Sequence, residues 1–189
     1  MKTLMERCEG FVQTKPTPVK RGGQSYADTE RFVLRGLGLM YWLYHRASTT
    51  GQIARLTRDV IDFLLRRYHG YSIKEHIGAH YRQRGLRQKE RTEFEHVLPN
   101  SVGRDMFLVG RFTAQEAMNV PTCLLSKRKH AELAASGLGD TTPNVYYFFR
   151  RYRDLGIEIE TQDGVLIDLE TWGLDDHYQL FGVSPSPHR

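Results

Sequence analysis

Residues 93–99 read EFEHVLP, and residues 123–133 read CLLSKRKHAEL. Thr92 to Leu98 has the short, β-like pattern of a strand, and Pro99 stops it. Thr122 to Leu125 predicts a second short strand. Ser126 is then placed to cap a helix from Lys127 to about Ser136, with Gly137 and Gly139 ending it. Two short helices fill the gap between the strands, Ser101 to Val109 and Thr113 to Asn119. The second opens on the capping box Thr113-Ala114-Gln115-Glu116. A strand, a strand and a helix in this order decide the reading of the chain.

Upstream, Asp28 caps a predicted helix over about Thr29–His45, with Val33, Leu37, Met40, Tyr41 and Tyr44 as its buried row. A second helix is expected over about Gln52–Tyr68. Its row is Ile53, Leu56, Val60, Ile61, Leu64 and Tyr68, and His69-Gly70 ends it. Ser72-Ile73-Lys74-Glu75 has the form of a capping box and predicts a third helix to about Gln83. Residues 13–27, with Pro16, Pro18, Gly22 and Gly23, read as a loop or linker. Downstream, Thr142-Pro143 predicts a helix start. Val145, Phe148, Phe149, Tyr152 and Leu155 face inward, and Arg150, Arg151 and Arg153 face the wet side. A hairpin follows, with arms 157–161 and 165–169 around Gln162-Asp163-Gly164, then a short helix from Leu174 to Phe181 and a frayed end at 184–187. The fold class is α+β, mainly helical. Residues 1–91 form a basic helical module, 92–136 the strand–strand–helix unit, and 137–189 a helix with an acidic hairpin, packed as one compact domain.

The 189 residues carry a net charge of +5, unevenly spread. Residues 1–91 hold 18 Lys and Arg against 8 acids, and residues 92–189 hold 9 against 14. A half at +10 suits a polyanion, of which nucleic acid is the common one. The longest nearly apolar run, Leu37 to Tyr44, is too short to span a bilayer. The N-terminus lacks the apolar stretch of a secretion signal, and Cys8 and Cys123 form no C-x-x-C. The expected location is the cytoplasm.

The stretch from Glu93 to His130 resembles the HNH family of ββα-metal nucleases. The family places an acid–His pair on a first strand, often followed by an apolar residue and Pro, then an Asn, then a helix bearing a second His. Glu95-His96 with Pro99 is similar to the first element, and Leu124-Leu125 with His130 to the last. Glu replaces the commoner Asp, and the connection is longer than usual. Asn119 takes the Asn position, with Asn100 as the alternative. The resemblance implies a metal-dependent endonuclease. His96 would be the general base, with Asn119 orienting it or completing the metal shell. Glu95 and His130 would hold a divalent ion, magnesium first, with manganese, zinc or nickel as alternatives. The chemistry asks for these residue types. Imidazole titrates near neutrality, a carboxylate is a hard ligand, and the cation offsets charge on the phosphodiester. Neighbours on a flat strand point to opposite faces, so a twist or bulge must bring Glu95 and His96 together.

DNA is the expected partner. Arg82, Arg84, Arg87, Lys89 and Arg91 lead into the first strand, Arg104 lies in the insertion, and Lys127, Arg128 and Lys129 open the His130 helix. The alternative is a catalytically inactive fold of the same kind that binds nucleic acid or protein. Its acidic 156–183 segment, with seven acids and no Lys or Arg, would dock a partner. His76 and His80 share a row with Ile73, Ile77 and Tyr81, and read as core histidines rather than ligands. Asp175-Asp176-His177 reads as a helix start.

Overall fold

A computed structural model describes residues 26–46, 51–75, 79–87 and 90–184. Helix α1 spans Tyr26–Arg46 and α2 spans Gly51–Glu75. They pack side by side through Val33 and Leu37 against Ile61, Leu64 and Leu65. Gly36 permits the close approach, since a Cβ there would sit 2.9 Å from Leu64 Cδ1. Helix α2 does not stop at Gly70 and does not restart at Ser72. The expected third helix is absent over 81–83, where Tyr81–Gln83 is instead strand β1. His76 and Lys89 lie outside the described residues.

Strand β2 is Thr92–His96, followed by α3 (Asn100–Leu108), α4 (Ala114–Met118), β3 (Thr122–Ser126) and α5 (Lys127–Ala135). The capping box at Thr113 and Glu116 forms as the sequence predicts, and Ser126 caps α5 by accepting from Lys129 N. Gly137, at φ +78°, turns the chain away from α5. The last elements are α6 (Arg150–Arg153), β4 (Ile159–Thr161) and α7 (Leu174–Leu180).

The four strands lie in the order β2-β3-β1-β4. Strand β3 pairs antiparallel with β2 and parallel with β1, and β1 pairs antiparallel with β4. This sheet draws strands from all three expected segments. The result is a mixed α+β fold, mainly helical, around a small sheet. No helix of the described residues is long and apolar enough to cross a membrane.

Two expectations are corrected in the C-terminal third. The helix from Thr142 does not form as a continuous element. Asn144 Oδ1 accepts from the amides of Tyr146 and Tyr147, a local turn that competes with helix. Only α6 is helical, and Phe148, Phe149 and Tyr152 still reach the core. The hairpin turns at Gly164, but its return arm holds β4 through a single bridge, Glu160 to Leu166. In α2, Ile53 and Leu56 are exposed rather than buried. That helix carries a second apolar row, which faces away from the core.

Candidate functional site

Strand β2 pairs with β3 over five successive residues, Thr92 with Ser126 through His96 with Thr122, and no bulge interrupts the register. Glu95 and His96 therefore point to opposite faces of the sheet. Each finds a different set of partners.

Glu95 faces α5 and α6. Its Oε2 lies 3.1 Å from His130 Nε2, and its Oε1 lies 3.1 Å from an Arg151 guanidinium nitrogen. The Glu95 side chain is 8% exposed and that of Arg151 is 0%. Arg151 also donates to the carbonyls of Val97 (2.8 Å), His96 (3.2 Å), Gly139 (3.0 Å) and Leu138. One guanidinium thus ties the end of β2 to the loop after α5. Burial raises the Glu95 pKa, opposed by the charges of Arg151 and His130. The wet-side placement expected of Arg151 is wrong. It is one of the largest fully buried side chains, and it supplies the cation that Glu95 needs.

His96 faces α2. Its Nε2 lies 2.9 Å from Nδ1 of His69, whose Nε2 lies 2.8 Å from the carbonyl of Met118. A carbonyl only accepts, so His69 Nε2 carries the hydrogen and Nδ1 is the acceptor. His96 therefore donates from Nε2, which leaves Nδ1 unprotonated. Burial pulls the His96 pKa down to about 3 and that of His69 to about 4, helped by Coulomb repulsion from His69 and Arg66 at the former. A base so weak is poorly matched to proton abstraction near neutrality.

The expected single ion shared by Glu95, His96 and His130 does not fit this arrangement. The strand sends two of the three groups apart, and Arg151 already sits against Glu95. Among the described residues, no group of three or more His, Cys, Asp and Glu side chains is placed to hold a metal ion. Asn119 ends α4, and its side-chain amide donates to Gln115 O (2.8 Å) rather than to His96. The alternative, Asn100, is buried and donates to Asp62 Oδ1 (3.1 Å). His69, expected at the helix end, continues the row of Ile61 and Leu65 at four-residue spacing. That row was the available signal.

No family model, curated protein or solved structure matches this chain.

The expected nucleic-acid cations divide sharply. Arg82 pairs with Glu160 (2.6 Å), Arg84 with Glu158 (3.4 Å) and Arg104 with Asp62 (2.7 Å). Arg128 and Lys129 both pair with Glu132, and Lys129 also donates to Leu155 O (2.6 Å). Glu158, Glu160 and Glu170 of the acidic segment each pair with an arginine of the same chain. The side chains of Arg87, Arg91 and Lys127 make no ion pair among the described residues, although Arg87 N donates to Glu90 Oε2 (3.2 Å), and Arg91 and Lys127 adjoin through the bond from Lys127 N to Arg91 O (2.9 Å).

The larger reserve of unpaired cations is elsewhere. Arg31, Arg35 and Arg46 on α1, and Arg55, Arg66 and Arg67 on α2, are exposed with no ion pair among the described residues. Phe32 (63% exposed), Leu39 and Trp42 (39%) form a row on α1, and Leu56 and Phe63 (59%) stand on α2. Both rows lie opposite the buried faces of their helices. Arg46 stacks over Trp42 at 5.7 Å and Arg67 over Phe63 at 5.6 Å. The sequence signal was the second apolar row of each helix, which a single buried stripe does not need.

Proposed function

We propose that the chain is a nucleic-acid-binding protein whose HNH-like ββα unit is structural, and whose binding surface is the outer face of the α1–α2 hairpin. One observation carries the reading: on exposed helix faces Arg46 stacks over Trp42 and Arg67 over Phe63, and neither arginine has an ion pair among the described residues. Single strands are held by this combination, in which bases stack on aromatic faces and cations follow the phosphates. A symmetric contact between two copies is disfavoured, because it would bring these same arginines together. The endonuclease reading rests on a Glu95–His130 pair alone, and that pair is held by Arg151.

The test is fluorescence anisotropy with a labelled single-stranded oligonucleotide. Trp42→Ala and Phe63→Ala should each weaken binding by roughly 5- to 150-fold, from ~1–3 kcal/mol per lost stack. Neutralising about five phosphates should give a slope near −3.5 in log K against log salt. Unchanged affinity in both variants sinks the proposal. So does sedimentation showing a dimer that Trp42→Ala dissociates, which would make the face a self-association surface.

A further inference from the structure

A half-open cavity of about 220 Å³ lies where the ends of α1 and α2 meet α4 and α7. Its lining includes the half-buried Phe181, the buried Tyr68, and the polar residues Glu30, His80, Gln115 and Asn119. The volume is below the roughly 300–1,000 Å³ of sites that take drug-sized ligands, so it suits one small heterocycle.

His80 is the organising group. It is 9% exposed and immediately precedes β1. Its backbone N–H donates to Thr122 Oγ1 (3.2 Å), and its Nδ1 lies 2.7 Å from the same oxygen. The Thr122 hydroxyl has no other recipient for its hydrogen among the described residues, so it donates to Nδ1. His80 therefore carries its own hydrogen on Nε2, which makes no hydrogen bond among the described residues. Burial and the nearby His177 hold the ring neutral, with its pKa well below the usual value. Phe181 sits edge-on to His80 at 4.5 Å and fixes the plane of the ring.

The polar rim thus offers a fixed N–H donor from His80, a carboxylate acceptor from Glu30 and a side-chain amide from Gln115. Asn119 gives its own amide hydrogen to Gln115 O, which leaves its oxygen as an acceptor. Donors and acceptors on the edge of a small cavity, with an aromatic wall, match the edge and face of a nucleobase.

We infer that this cavity binds a single unstacked nucleobase, with His80, Glu30 and Gln115 reading its edge and Phe181 packing on its face. The choice of a nucleobase over other planar heterocycles rests on the nucleic-acid reading above. The two claims separate experimentally. The full chain is titrated with adenosine, guanosine, cytidine and uridine by calorimetry and by NMR of the histidine rings. One nucleoside should bind and shift the His80 resonances. Gln115→Ala, an exposed change that spares the core, and Phe181→Ala should each weaken it by about tenfold or more. Trp42→Ala should leave nucleoside affinity unchanged while weakening the oligonucleotide. No nucleoside binding at about 5 mM, or binding indifferent to both cavity variants, overturns the inference. If Trp42→Ala still weakens the oligonucleotide in that case, the α1–α2 reading stands alone.

Discussion

Replacing Arg151 by Met keeps an unbranched apolar stem and removes the guanidinium. Glu95 is then left buried with His130 as its remaining partner. Removing one member of a buried ion pair costs roughly 3–5 kcal/mol. The carbonyls of Val97, Gly139, Leu138 and His96 lose their donor as well, at about 1 kcal/mol each where water cannot replace it. A loss of ~5 kcal/mol follows, against a total stability of about 5–15 kcal/mol for a domain. With an m-value near 2 kcal/mol/M in urea, the midpoint should fall by about 2.5 M. The deficit should also depend on pH. Burial already raises the Glu95 pKa, and Arg151 is the first of the groups opposing it. Without Arg151 the pKa climbs further, so the native state binds more protons than the unfolded state. Stability of the variant relative to the parent then rises as pH falls from 7 toward the ordinary glutamate range. Urea melts followed by circular dichroism at pH 7 and pH 5 read both effects. A deficit under about 1 kcal/mol, or one equal at the two pH values, refutes the assignment of Arg151 as the counter-ion of Glu95. The double change Glu95→Leu with Arg151→Met should recover much of the loss.

Other outcomes follow from the same geometry. His69 has its pKa lowered from 6.5 to about 4, so the unfolded chain binds the extra proton first. Stability should fall as pH drops through that window, by roughly 3 kcal/mol from this group. A flat stability between pH 7 and pH 4 contradicts the buried His69–His96 pair. Thr113→Ala removes the cap that accepts from Glu116 N and should lower stability by about 1 kcal/mol, read by thermal melting. Plasmid incubated with the chain and magnesium or manganese should remain uncut. Nicking that His96→Ala abolishes would restore the endonuclease reading.

Local signals made the central unit legible. Pro99 and the Ser126 cap set the ends of β2 and the start of α5 within about two residues, because both act through neighbouring backbone. The opposite facing of Glu95 and His96 was also implicit in strand alternation, and the absence of a bulge made it decisive. Strand β1 was not legible. Its three residues pair with β3, some forty residues on, and with β4, some eighty residues on. Tyr81 also continues a helical row with Ile73 and Ile77. Arg151 was equally hidden, since Arg150, Arg151 and Arg153 look alike until tertiary packing selects one. Charge totals misled for a related reason. Arg82 and Arg84 look like a basic run in sequence, yet the sheet sets β4 beside them and brings Glu160 and Glu158 into pairing distance. The unpaired arginines of α1 and α2 have no such neighbour among the described residues.

Trp42 reports on that surface directly, because the chain has only one other tryptophan, Trp172, half-buried and bonded through Nε1 to Tyr81 OH (3.1 Å). In a Trp172→Phe background, a saturating single-stranded oligonucleotide should quench Trp42 emission, with salt reversing the effect. Emission that stays unchanged while anisotropy reports a bound strand would place the nucleic acid on some other face.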